Sequence, residues 1–332
     1  MYEGHGSCGK ACLISAIPCN LFTLMLSDTL IVIVSMAIPL SVSLMLAGLG
    51  EMFTQRSGIF NLGVEGIMLM GAFVGFFTVY KLDNNLLGLL AAMLVGGLMG
   101  LLMAVVTITL RATQGIAGIG LYMVGWGLSG TLFRNYVGGI TSIEGIQVLN
   151  IPFLSDIPVL GPMFFQHDPL VYFTFLLVPV AWYVLFKTAW GLKVRAIGTT
   201  PQAADTLGVS VEQIRYQCVI LGGVMAGLAG AYLSVCQARI FADNITAGRG
   251  FIAVALVYFG RWHPLGVMGG ALLFSLAHSL QRSIQVYGID FPYELAVVFP
   301  YVLVILVLAL SYKSKNLGPT ALGKPYEREF RG

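Results

Sequence analysis

Charge is scarce in this chain. Of 332 residues only 10% are Asp, Glu, Lys or Arg, while 57% are hydrophobic. Soluble domains carry about 25% charged residues. A water-soluble fold of this length has no way to hide so much apolar surface, so a soluble enzyme is excluded and a polytopic membrane protein remains. Signatures of chemistry are missing as well: there is no HExxH, no GxSxG and no CxxC. A Walker A loop is absent, because Gly9-Lys10 is followed by Ala11 and Gly323-Lys324 by Pro325, where Ser or Thr is needed. The chain is therefore not expected to hydrolyse ATP itself. Its four histidines, His5, His167, His263 and His278, are scattered, and no metal site is expected. The net charge of +3 is not gathered on a soluble domain, which argues against nucleic acid. Of five cysteines, Cys218 and Cys236 lie in apolar runs and read as core residues. Cys8, Cys12 and Cys19 share an N-terminal segment with His5, at spacings that match no standard ligand pattern. That segment is not a clean signal peptide either, because Pro18 and Asn20 break a weak apolar stretch.

What is abundant is apolar sequence and glycine, with 41 glycines in all. A membrane helix needs about 20 apolar residues. Spans are expected near 25–49, 59–80, 86–110, 114–137, 169–188, 213–237, 248–262, 264–285 and 292–312. The fold class is an all-α polytopic membrane protein of about nine or ten transmembrane helices, with 59–80 and 248–262 broken or re-entrant. GxxxG spacing at Gly71/Gly75, Gly223/Gly227 and Gly266/Gly270 predicts close helix packing. Residues 1–24 form a segment of unassigned role, 25–312 the membrane domain and 313–332 a basic tail. The basic residues orient it. Lys187, Lys193, Arg195 and Arg215 flank one island, and Lys313, Lys315, Lys324, Arg328 and Arg331 mark the tail, so both are expected in the cytosol. The loop 138–168 has Glu144, Asp156 and Asp168 but no Lys or Arg, and is expected outside, as a folded cap.

Three stretches carry functional information. The polar island 187–213 is too long for a tight connector, and a short helix is expected over 201–207. In a multi-span protein such an island is offered to a cytosolic partner. The second stretch, 50–66, places Glu51, Arg56, Asn61 and Glu65 among apolar runs. Fifteen charge-free residues lie between Glu65 and Lys81, and a carboxylate at membrane depth defaults to a functional site. Gly58, Gly63 and Gly66 permit a broken helix there, as discontinuous helices do in transport sites. The competing reading is structural: Glu65 pairs with Arg56 or accepts backbone N–H groups and pins the break. The third stretch, 247–253, holds Gly248, Gly250 and Phe251. It loosely matches GxGxxA, but its membrane context excludes a dinucleotide site. It reads as the entry to a pathway-lining helix. Asn61, Glu65 and Phe251 are the pathway candidates. An ion-coupled carrier with Glu65 as its ion site also fits the carboxylate, yet gives the 187–213 island no task.

The stretches QRSGIFNLGVEGIMLMGAF (55–73), GLKVRAIGTTPQAADTLGVSV (191–211) and AGRGFIAVALVYFGRWHPLGVMGGALLF (247–274) resemble permease subunits of bacterial ABC importers. The branch is that of branched-chain amino acid, simple-sugar and nucleoside permeases, and the nucleoside/simple-sugar type is nearest. The resemblance covers about residues 30–312 and leaves 1–24 uncovered. It implies a type II-like permease in the bacterial cytoplasmic membrane, with its C-terminus in the cytosol. It implies four further components: a second, related permease, two cytosolic ATPase subunits that use the ATP, and an extracytoplasmic binding protein or lipoprotein. This chain would bind no cofactor. The 189–212 loop resembles the segment that couples to the ATPase, through Arg195, Ala196, Gly198, Pro201, Ala203, Ala204 and Gly208. Nucleoside import is the expected function, with simple-sugar import as the alternative.

Overall fold

The computed structural model describes residues 19–139, 141–150, 160–286, 298, 302, 305, 306, 309 and 318–326. The chain folds as α1 (Cys19–Arg56), α2 (Val64–Leu82), α3 (Asn85–Ala104), α4 (Gln114–Tyr136), α5 (Leu160–Phe164), α6 (Pro169–Lys187), α7 (Ala189–Thr199), α8 (Pro201–Thr206), α9 (Val211–Ala231), α10 (Arg249–Phe259) and α11 (Pro264–Val286). Two-residue strands β1 (Leu149–Asn150) and β2 (Gln166–His167) pair antiparallel, and the other elements among the described residues are helices. Both α3 and α9 end in a π-helical turn, Val105–Thr109 and Tyr232–Gln237.

Local chemistry sets the helix ends. Asn84 caps α3 by accepting from Leu87 N at 3.1 Å, and Thr188 caps α7 by accepting from Gly191 N at 3.1 Å. Pro169 opens α6, where its missing N–H costs nothing.

Six helices are long and apolar enough to cross a membrane among the described residues. This is fewer than the nine expected spans, for identifiable reasons. The expected 292–312 span lies almost wholly outside the described residues. α11 has the length but carries His278, Gln281 and Arg282 in its last half. α10 has 11 residues, about 16 Å at 1.5 Å per residue, against about 30 Å of hydrocarbon; it is a half-span. The break expected in 59–80 falls at its start, before α2. The expected 201–207 helix is α8, and the N-terminal cysteine side chains lie outside the described region.

α1, α2 and α9 are the inner helices, and α3, α4 and α6 keep one face outward. The inner packing rests on glycine. A Cβ added at Gly71 would lie 2.4 Å from Gly227 O, and one at Gly223 would lie 2.4 Å from Gly96 O. Backbones in direct contact leave no room for a side chain, which is the packing that the GxxxG spacing predicts. Leucines 86, 90, 94 and 98 of α3 and Ile116, Met123 and Trp126 of α4 cover the outward faces. The described part of the 138–168 loop packs on the segment after α9, through Ile143 N to Arg239 O at 3.0 Å and the bridge Ser142–Ile240.

Candidate functional site

The chain leaves helical geometry after Arg56 and re-enters it at Val64. Inside an apolar layer every exposed backbone N–H of such a break needs a partner. Side chains supply them. Phe60 N donates to Gln114 Oε1 at 2.7 Å, Asn61 N to Glu51 Oε1 at 3.2 Å, and Gly63 N to Asn61 Oδ1 at 2.8 Å. Asn61 is buried and serves the start of α2 in this way. Gly58 turns the chain at φ +93°, a conformation that side chains disfavour.

α10 begins beside this break. Its far end runs into Trp262, whose indole N–H donates to Gln55 Oε1 at 2.9 Å and whose carbonyl accepts two bonds from Arg56. That anchors the C-terminal end of α10 at the C-terminal end of α1. The N-terminus of α10 therefore lies about 16 Å from that end, with Gly250 buried inside the bundle. There it meets α2 at Glu65. Glu65 Oε1 accepts from Thr246 Oγ1 at 2.5 Å and from Gly248 N at 2.8 Å, and Oε2 accepts from Gly250 N at 2.5 Å. The carboxylate is buried and caps the N-terminus of α10, where the helix dipole favours negative charge. Gly250 permits the approach, because a Cβ there would lie 2.6 Å from the backbone of Glu65. Gly66 and Gly125 do the same between α2 and α4. The loop 238–248 ahead of α10 carries strain, because Arg239, Asn244 and Ala247 sit at positive φ.

The expected pathway residues are thus partly gathered. Glu65, Gly66, Gly248 and Gly250 form one junction, with Phe251 on its rim, 37% exposed. The Phe251 ring lies edge-on to Tyr122 at 5.3 Å, and Tyr122 stacks on Trp126 at 6.5 Å. Asn61 and Gly63 sit at the neighbouring break. Sequence reading missed Tyr122, Trp126 and Gln114, which lie in an apolar helix with no polar signal. It also underrated Glu51, whose Oε1 accepts from Gln55 Nε2 and Asn61 N while Oε2 has no partner.

The expected coupling residues divide by burial. Gly198, Pro201 and Ala204 are buried within the chain and hold α7 and α8 on the bundle; Arg195 and Ala196 are half-buried. Gln202, Ala203, Thr206 and Gly208 are exposed, and Leu207 is 83% exposed. Arg195 and Arg56 lie over the Phe186 ring at 5.2 and 6.0 Å. His263 packs on the same ring, and burial together with Arg56 pulls it below the usual imidazole range. No group of three His, Cys, Asp or Glu able to hold a metal occurs among the described residues.

Residues 33–308 match the family described as branched-chain amino acid transport system / permease component. The nucleoside ABC transporter permease NupC of Lactococcus lactis subsp. cremoris is 39% identical over 312 residues, covering 90% of this chain and 98% of that protein. The guanosine ABC transporter permease NupQ of Bacillus subtilis is 36% identical over 310 residues, 89% of this chain and 96% of that one. An ABC transporter permease of Haloferax volcanii named for glucose, TsgC13, is 36% identical over 313 residues, 86% and 94% of the two chains. No solved structure matches. The family match over most of the chain and these full-length similarities establish that the protein belongs to this permease family, as a multi-pass membrane subunit of ABC transporters.

Proposed function

We propose that the chain is the permease of an ATP-driven nucleoside importer. The carrying observation is the junction at Glu65, where two helices, α2 and α10, start inside the bundle. Helix ends at mid-depth are how transporters present polar groups to a solute. Here the positive end of α10 is filled by the chain's own carboxylate. The junction therefore favours an uncharged polar solute over an anion. Phe251, Tyr122 and Trp126 add aromatic faces beside it, suited to stacking on a nucleobase or a sugar ring. The relatives named for nucleosides and guanosine support the base-bearing solute.

On this reading a second, related permease faces α4 and α10 and completes the pathway. The α8 end is cytosolic, with the tail, and two ATPase subunits take α8 and Leu207 into their grooves. An extracytoplasmic binding protein or lipoprotein docks on the opposite end. A groove of about 600 Å³ lies there between Asp83, Glu144 and Phe173. The ion-coupled alternative loses its main support, because Glu65 has both oxygens occupied by three donors of the chain.

Purification from native membranes in mild detergent, then reconstitution in liposomes, tests the proposal. The expected result is co-purification of an ATPase and a second permease, and ATP-dependent uptake of radiolabelled guanosine that unlabelled glucose fails to compete. Uptake by the single chain driven by a pH or sodium gradient would overturn it. Competition by glucose with no effect of nucleosides would move the substrate to sugars.

A further inference from the structure

The segment 318–326 lies beyond the family match, which ends at 308. It is nevertheless built into the α8 end. Thr320 Oγ1 donates to Thr199 O at 2.5 Å, and Ala321 N donates to Gly198 O at 3.0 Å. Those two carbonyls close α7 and have no partner within their own helix. Gly323 N donates to Gly58 O at 3.1 Å, at the turn between α1 and α2. Arg215 of α9, almost fully buried, donates from Nε to Ser57 O at 3.1 Å and from Nη1 to Lys324 O at 3.5 Å, with the Tyr326 ring 6.0 Å from its guanidinium. Gly318 lies flat on Trp262; a Cβ there would be 2.7 Å from the indole. Ala321 is buried, and Leu322 and Tyr326 pack on the apolar cluster that holds Val194 and Ile197.

Nine residues thus tie together the end of α7, the α1–α2 break, the start of α9 and the α10–α11 turn. α8 itself touches the bundle through little more than Pro201 and Ala204. The α7 end also packs directly on the end of α1, where a Cβ at Gly198 would lie 2.0 Å from Arg56 O, and 318–326 adds hydrogen bonds that link the α7 end to the break. We propose that this C-terminal clasp is a positioning element for energy coupling: it makes the α7–α8 segment and the α1–α2 break one rigid unit. A push on α8 then moves the break, and with it the Glu65 junction. Thr320 and Tyr326 are its positioning residues, acting through α7 and Arg215 and touching no solute. The proposal rests on the reading that α8 docks on an ATPase.

The test uses the whole transporter in liposomes and reads guanosine taken up per ATP hydrolysed. Three forms are compared: the full chain, a chain ending at residue 317, and the double variant Thr320→Val/Tyr326→Ala. The clasp predicts that ATPase subunits still co-purify and ATP hydrolysis continues, while uptake per ATP falls by roughly fivefold or more in the shortened chain. The double variant should fall in the same direction by a smaller factor. A merely structural segment would lower yield or melting temperature and leave the ratio at its full-chain value. An unchanged ratio in the shortened chain overturns the proposal. If that chain does not assemble, an unchanged ratio in the double variant overturns it. Absence of any ATPase from the full-chain preparation would instead refute the docking reading beneath it.

Discussion

Two buried carboxylates sit close in sequence and have opposite surroundings. Glu65 has three donors, two on one oxygen and one on the other. Glu51 has two donors on Oε1 and none on Oε2. Substitution by glutamine should separate them. In Glu65→Gln one amide N–H₂ must face a backbone N–H, so the junction loses a bond and gains an orphan donor, at about 1–3 kcal/mol. Glu51→Gln keeps the accepting oxygen and replaces an oxygen that already has no partner, so its stability should change by about 1 kcal/mol or less. Thermal melting in detergent reads both, and guanosine uptake should drop in Glu65→Gln at unchanged expression. A lower melting point for Glu51→Gln than for Glu65→Gln would contradict this account. Glu65 was conspicuous in the sequence because charge-free residues follow it. Its partners were not, since Thr246 is 181 positions away, and a hydrogen bond across that distance leaves no local pattern.

At the scale of elements, glycine decides where helices touch. Gly71→Val should separate α2 from α9, because the side chain would enter the space of Gly227 O. Overpacking of this kind costs about 1–3 kcal/mol, and folded yield should fall. Gly115→Ala and Gly120→Ala on α4, where a Cβ would meet nothing within 4 Å of the chain, are the matched controls and should fold normally alone. Loss of uptake in those controls without loss of fold would place the second permease against that face. The spacing of small residues made the inner packing legible in advance. The half-length of α10 was only half legible. Its apolar run continues through Trp262, so hydropathy reads one span. The turn at Arg261 and Trp262, both at positive φ, is imposed by tertiary bonds to Arg56 and Gln55.

At the scale of the whole molecule, the proposed solute junction and the proposed coupling end are separate. The α8 end carries the exposed Leu207, the cation pair on Phe186 and the clasp. On the proposed docking of α8, Leu207→Asp should leave melting unchanged and abolish retention of ATPase subunits, because Leu207 is 83% exposed in this chain and the variant would bury a charge in the ATPase groove. Pro201→Ala should instead lower the stability of the α7–α8 segment, read by faster amide exchange over 199–208, since Pro201 is buried within the chain. The polar island of 187–213 was legible from composition alone as a polar segment with a short helix, which is α8. Its division into buried and exposed residues was not, because α8 is too short for a helical period to show.

The filled helix end at α10 has a metabolic consequence. A phosphate presented to that junction meets a carboxylate where an open helix end would have offered bare N–H groups. On the proposed function, an uncharged nucleoside is admitted there and its monophosphate is disfavoured. On that reading, a cargo phosphorylated after import no longer fits the door by which it entered, and its gradient would be held by chemistry after transport as well as by ATP during it.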